Sequence, residues 1–187
     1  MEKFEEIFEF VKNTLSEKRF YHSVCVMERA IEYAKIYGAD TEKAKIAGIL
    51  HDIAKEIPKE DRVSYAENIG VIPDEIEKES TGLLHSKVAA KIAETKFGLD
   101  KEICDSIAYH TTGRENMTLL DKIIYIADYT GKDRKYEDTN YMYELAKKDI
   151  DAAIIYGLKK TIDLRIKEDK LLHIDTVKAY NFLIKDL

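Results

Sequence analysis

The stretch GILHDIAK, residues 48–55, decides how the chain is read. From Ala44 to Ile57 apolar residues fall on nearly every face, which is the pattern of a helix enclosed in a core. Within it His51 and Asp52 stand side by side. Burying an ionised carboxylate without compensation costs several kcal/mol, a large share of a domain's net stability. The stretch therefore predicts an interior helix whose polar pair is balanced by groups brought from elsewhere.

The same patterning extends outward in both directions. Phe4, Ile7, Phe8, Val11 and Leu15 keep helical spacing, as do Phe20, Val24, Met27, Ile31 and Ala34, with Gly38 as a stop and Asp40 as the cap of the next helix. Pro58 and Pro73 punctuate a short helix and a loop. Residues 85–97 form a helix closed by Gly98, and Asp100 caps 101–111. Thr118 and Asp121 have capping-box spacing at the head of 118–130, where Gly131 marks the stop. Thr139 to about Lys167 reads as one long amphipathic helix, and Thr176 to Leu187 as the last.

With two prolines, eight glycines and no period-2 pattern, the expectation is an all-α fold. It would be a multi-helical bundle of roughly eight to ten helices forming one domain over residues 1–187. A net charge of −6 argues against a nucleic-acid partner, although small phosphorylated ligands remain open if metal ions or a few placed cations supply a local positive field. No apolar run reaches membrane-spanning length and the N-terminus lacks a signal-peptide pattern, so the expected location is cytoplasmic, with no membrane partner. Cys25 and Cys104 lie apart in apolar helical context and read as packing thiols.

Four of the five histidines share one property. His51 lies on the stripe of Ala44, Ala47 and Ala54; His85 precedes Val88, Ala89 and Ile92; His110 follows Ile103 and Ile107; His22 precedes Val26 and Ala30. All four face inward, whereas His173 in KLLHIDT reads as a partly exposed residue. Asp128 is set among Ile123, Ile124, Ile126 and Ala127 and, like Asp52, has almost no polar neighbours. Any one of these could be a core residue satisfied by the backbone or an ion pair. Together they suit a cation such as Fe, Mn, Co or Zn held by imidazole and carboxylate, although the HExxH and zinc-finger spacings are absent. Arg19, three before His22, and Lys55, three after Asp52, put one cation beside each proposed ligand, as phosphate clamps would.

The segments RFYH (19–22), HDIAK (51–55), LLHSKVAA (83–90), AYHTTG (108–113) and KIIYIADYTGKDR (122–134) resemble the HD-domain superfamily of metal-dependent phosphohydrolases, and within it the YqeK-type symmetrical bis(5'-nucleosyl)-tetraphosphatases, over about residues 15–185. The resemblance implies two divalent or trivalent metal ions, iron first, with manganese, cobalt or zinc as alternatives. His22, His51, Asp52, His85, His110 and Asp128 match the ligand positions, with Asp52 bridging. Arg19, Lys55, Thr111, Gly113 and Arg134 match positions near phosphate or nucleoside, and Asp52, Lys55 and Arg19 are the expected catalytic set. Two positions depart from the family pattern: Ser86 replaces a usual glycine, and Thr130, Gly131 and Lys132 stand where a Glu-Pro pair is common.

The implied activity is symmetrical hydrolysis of diadenosine tetraphosphate, a small dinucleoside polyphosphate, to two ADP by a two-metal mechanism with a bridging hydroxide. The protein would act alone or as a homodimer. A nucleotidase or phosphodiesterase of the same superfamily is the alternative. A metal-free helical interaction module is the reading from a different class.

Overall fold

The computed structural model describes residues 2–185, so Met1, Asp186 and Leu187, the last two within the expected final helix, lie outside the described residues. Among the described residues there are eleven α-helices and no strand: α1 (Glu2–Thr14), α2 (Glu17–Tyr37), α3 (Thr41–Leu50), α4 (Arg62–Asn68), α5 (Glu75–Glu79), α6 (Leu84–Phe97), α7 (Lys101–Ala108), α8 (Leu119–Thr130), α9 (Thr139–Lys148), α10 (Ile150–Lys167) and α11 (Ile174–Ile184). Among the described residues no helix is long and apolar enough to cross a membrane.

The centre of the bundle is α8. Ile123, Ile124, Ile126 and Ala127 are all fully buried, so the helix is covered on successive faces, by α2, α3 and α7 on one side and α9 and α10 on the other. Burying each isoleucine contributes about 1.5–3 kcal/mol, which makes α8 the element the others are built around. α2 and α3 approach closely where Gly48 permits it: a Cβ at that position would sit 2.7 Å from Met27 Cα. The far end of α8 is pinned by α2. Arg29 Nε donates to the carbonyl of Thr130 at 3.0 Å, and Tyr33 Oη and Thr130 Oγ1 are hydrogen-bonded at 2.8 Å.

Among the described residues eleven helices stand where eight to ten are expected, the last begins at Ile174 rather than Thr176 and ends at Ile184, and three other boundaries differ for reasons the structure shows. The helix expected to run to Ile57 ends at Leu50, and 51–57 form successive tight turns with Ile53 N bonded to Leu50 O and Lys55 N to Asp52 O. The reason is His51 itself. Its Nδ1 lies 2.8 Å from the carbonyl of Gly48, which a continuing helix would have offered to the N–H of Asp52. His110 does the same at α7, taking the carbonyl of Ile107 at 2.8 Å, and that helix stops at Ala108 rather than 111. The long helix expected from Thr139 is two, because Asp149 adopts an extended conformation (φ −153°, ψ 100°) and its side chain accepts from the N–H of Ala152, capping α10.

Candidate metal centre

Five separate stretches deliver the site. His22 comes from the first half of α2, His51 and Asp52 from the exit of α3, His85 from the first turn of α6, His110 from the turn after α7, and Asp128 from the last turn of α8. All but Asp128 are buried, His51 completely, and the Asp128 side chain is 23% exposed. The six residues picked from the periodicity of the sequence thus converge on one place.

The imidazoles are aimed by a repeated local device. His51, His85 and His110 each present Nδ1 to the backbone carbonyl three residues earlier, at Gly48 (2.8 Å), Gly82 (2.6 Å) and Ile107 (2.8 Å). A carbonyl only accepts, so Nδ1 carries the proton and, in that tautomer, Nε2 is the lone-pair nitrogen that each ring turns inward. His22 has a carboxylate instead: its Nδ1 is 2.8 Å from Asp133 Oδ2.

Asp52 sits between the rings, and its two oxygens are divided between them. Oδ1 is 3.1 Å from His85 Nε2 and 3.6 Å from His110 Nε2, while Oδ2 is 3.8 Å from the Nε2 of both His22 and His51. Asp128 Oδ1 lies 3.1 Å from His22 Nε2 and 3.8 Å from His51 Nε2. His85 and His110 hold their Nε2 atoms 3.1 Å apart. Acceptors therefore face acceptors. His51 Nε2 and Asp52 Oδ1 are buried with no hydrogen-bond partner, and two triads, His22–His51–Asp128 and His51–Asp52–His110, have their ligand atoms within 4.8 Å of one another.

Protonation does not relieve this crowding at His51 or His85. Burial pushes the His51 imidazolium down to about 3 and the His85 imidazolium down to about 4, so both rings are neutral near pH 7. His22 moves the other way: burial is the largest influence and opposes its charge, but the hydrogen bond and charge of Asp128, together with the charge of Asp133, outweigh it and raise the imidazolium. Asp128 is held well below the usual carboxylate range despite burial, by His22 and the Arg134 guanidinium.

The surrounding residues sort into three groups. Arg19 and Lys55 flank Asp52 from the rim, with Arg19 Nη1 3.4 Å from Oδ2 and Lys55 Nζ 3.5 Å from Oδ1; Lys55 Nζ also donates to His85 Nε2 at 3.0 Å. Both side chains are about a third exposed, so their charges reach solvent as well as the centre. Thr111 touches the centre through Oγ1, 3.4 Å from His85 Nε2. Arg134 is turned inward: Nε donates to the Asp128 carbonyl at 2.8 Å, and Nη2 contacts both Asp128 Oδ1 and His22 Nε2. Gly113 makes none of these contacts. It lies in a left-handed turn (φ +67°) where a Cβ would meet that of Ala179 at 3.0 Å, so its surroundings are the packing of α11.

Asp133 was not among the residues singled out from the sequence. It sits in the charged run KDRKYED, where no hydrophobic period marks an inward position. Gly131 makes room for it, since a Cβ there would come within 2.8 Å of Asp133 Oδ1. The segment that departs from the expected Glu-Pro pair thus brings a carboxylate to His22 from two residues further on. His173 also corrects its expectation. It is buried rather than partly exposed, because its Nδ1 accepts from the N–H of Asp175 at the start of α11 and its Nε2 donates to Asp74 at 3.0 Å.

The HD domain family matches residues 19–133, the span from Arg19 to Asp133. The symmetrical bis(5'-nucleosyl)-tetraphosphatase of Bacillus subtilis (strain 168) is 38% identical over 181 residues, covering 96% of this chain and 97% of the relative. The protein of the same name from Halalkalibacterium halodurans is 38% identical over 178 residues, 94% of each chain. A crystal structure from Clostridium acetobutylicum, described as a predicted HD superfamily hydrolase involved in NAD metabolism, superposes with a TM-score of 0.94 at 37% identity and covers 98% of both chains.

Proposed function

The chain belongs to the HD domain family, among relatives named as symmetrical bis(5'-nucleosyl)-tetraphosphatases, and from that premise we propose that it hydrolyses diadenosine tetraphosphate and related dinucleoside tetraphosphates to two nucleoside diphosphates at a two-metal centre. One observation carries this reading. Three acceptors, His85 Nε2, His110 Nε2 and Asp52 Oδ1, converge within 3.1–3.6 Å, and the Lys55 ammonium and the Thr111 hydroxyl reach only the His85 nitrogen within hydrogen-bond distance. Such a cluster is repulsive unless a cation is shared between its members, so the residues present fit a metal.

His85, His110 and Asp52 Oδ1 would hold one ion. His22, His51, Asp128 and Asp52 Oδ2 would hold the other, with Asp52 joining the two. The all-imidazole and carboxylate donor set suits iron first, with manganese, cobalt or zinc as alternatives. When bound, such ions polarise a phosphoryl oxygen and lower the pKa of a coordinated water.

The remaining work falls to the chain's own side chains. Arg19 and Lys55 stand at the rim on opposite oxygens of Asp52, where they would bind nonbridging phosphate oxygens and offset the charge that grows on them during transfer. Thr111 offers a hydroxyl from the same side as Lys55. Arg134, engaged with Asp128 and His22, orients ligands and does not face substrate. The buried walls keep bulk water from the imidazoles, and Asp133 holds the ring of His22 in place. We take residues 1–187 as one HD-type domain acting in the cytoplasm, in keeping with one continuous core cluster and the lack of a membrane-length helix among the described residues.

Product analysis tests the reading. The purified protein, assayed with diadenosine tetraphosphate, is expected to yield ADP alone and to carry a transition metal on elemental analysis. ATP with AMP would indicate asymmetrical cleavage, and cleavage confined to mononucleotides or cyclic nucleotides would favour the alternative enzyme class. Either result overturns the assignment.

A further inference from the structure

Beside the centre a groove of about 690 Å³ runs outward between the segment after α3 and the C-terminal end of α10. His85, Thr111 and Lys55 form its inner end, so it opens directly from the residues that face the proposed metals. Its volume lies within the range of about 300–1,000 Å³ usual for small-ligand sites. Its charge is opposite to that of the chain. Lys55, Lys59, Arg62, Arg165 and Lys170 line it against the single carboxylate of Glu79, in a protein of net charge −6.

These cations are differently employed. Arg62 donates from Nε to the Ile57 carbonyl and from Nη2 to the Lys55 carbonyl, which fixes the backbone that carries Lys55. Lys170 holds Glu168 in an exposed pair at 2.7 Å, an interaction weak enough in water to be exchanged for a phosphate. Among the described residues, no carboxylate lies within ion-pair distance of Lys59 or Arg165. Concentrating unspent positive charge in a concave channel on an acidic protein focuses anions there.

A second cavity, lined by none of the six centre residues, differs. Its volume is about 520 Å³, and Tyr129 and Tyr136 line it, but it carries Glu137, Asp138 and Asp163 against Lys160 and Lys167, a poor bed for polyphosphate.

We propose that the basic groove receives the phosphates and nucleoside beyond the scissile bond, and that Arg165 and Lys170 set the preference for a tetraphosphate over shorter chains. The proposal rests on the hydrolase reading above and adds to it a direction for the substrate. Lys55 and Thr111 meet the chain where it leaves the centre, and Arg165 and Lys170 meet it farther out. A ligand with one phosphate engages the centre and does not reach them.

The test uses the full-length protein with its native metal and the double variant Arg165→Gln/Lys170→Gln. One probe is diadenosine tetraphosphate; a second is its analogue with a methylene in place of the central bridging oxygen, titrated calorimetrically; a third is AMP. The variant is expected to raise KM for the substrate and Kd for the analogue about tenfold, the order for loss of exposed charge-assisted contacts, with kcat within about twofold and AMP binding unchanged. Unchanged KM and Kd would overturn the proposal. So would an equal loss for AMP, or an equal loss in the charge-matched variant Lys12→Gln/Lys96→Gln, whose residues lie outside the groove. If the wild type makes no ADP from diadenosine tetraphosphate, the hydrolase reading fails, and analogue binding still judges the groove.

Discussion

Among the described residues two clusters bring imidazole and carboxylate groups within 4.8 Å of one another: the centre built on His22, His51, Asp52, His110 and Asp128, and a second made of Asp74, Glu77 and His173 where α5 meets α11. By residue type and spacing both could hold an ion. They differ in what their lone pairs already do. In the second cluster Asp74 Oδ1 accepts from the N–H of Glu77 (2.8 Å) and Asp74 Oδ2 from His173 Nε2 (3.0 Å). Glu77 Oε2 accepts from the N–H of Asp74 (2.9 Å), and Glu77 Oε1 lies 2.7 Å from Lys87 Nζ. His173 Nδ1 accepts from a backbone N–H, so its proton is on Nε2 and points at Asp74. At His51, His85 and His110 the tautomer is reversed: Nδ1 carries the proton to a backbone carbonyl, and the inward Nε2 is left without one. Proximity of ligand types is common to both; unmet demand for a cation belongs to one.

The sharpest way to break this contrast is Asp52→Ala. It removes both oxygens that separate the two histidine pairs, and it is expected to cut hydrolysis of diadenosine tetraphosphate by about a thousandfold or more and to lower bound metal on elemental analysis. A variant with full activity and full metal content would erase the distinction drawn above. The matching change in the second cluster, Glu77→Ala, is expected to do the reverse. It leaves Lys87 without its partner and dissolves the capping box of α5, at a cost of about 3 kcal/mol in urea unfolding, while rate and metal content stay at wild-type values. Loss of metal in that variant would make the second cluster a ligand set after all.

The contrast also explains what the sequence could disclose. His51, His85 and His110 share an apolar stripe with residues three or four positions away, so their inward direction followed from local spacing, and so did the all-helical class. The network of His173 did not, because Asp74 is 99 residues distant and no periodicity links them. Helix ends were lost for a related reason. The side chains of His51 and His110 compete for carbonyls that the helix would have used, and a histidine within an apolar run carries no mark that it will do so. The break at Asp149 has no mark in the periodicity, because the amphipathic pattern continues across it from Thr139 to Lys167.

Asp133→Asn sharpens the comparison from within the centre. Three of the imidazoles lean on neutral carbonyls and His22 alone on a carboxylate, so the substitution removes charge from one ring's support while keeping an acceptor. Carboxylate support raises the basicity of a ligating imidazole, and its loss is expected to weaken metal binding about tenfold in a chelator competition, with the unfolding midpoint little changed. An affinity equal to wild type would reduce Asp133 to packing.

The smallest effect is expected at Asp74→Asn. Burial alone would raise the Asp74 carboxyl, but the Glu77 N–H and His173 outweigh it and hold the group below its ordinary value of 3.8. A carboxyl depressed in the folded state stabilises the fold above its unfolded value, and that contribution is lost as pH falls through the folded one. The side chain is half exposed, which limits the charged part of the contact to a few tenths of a kcal/mol, and asparagine still caps a helix. Wild type should therefore exceed the variant slightly in urea midpoint near about pH 7, and the two should coincide near about pH 2. A difference that persists in acid would mean that the Asp74 contact is held by shape and not by charge. The second cluster would then resemble an uncharged packing joint, further from a metal site than its residue types suggest.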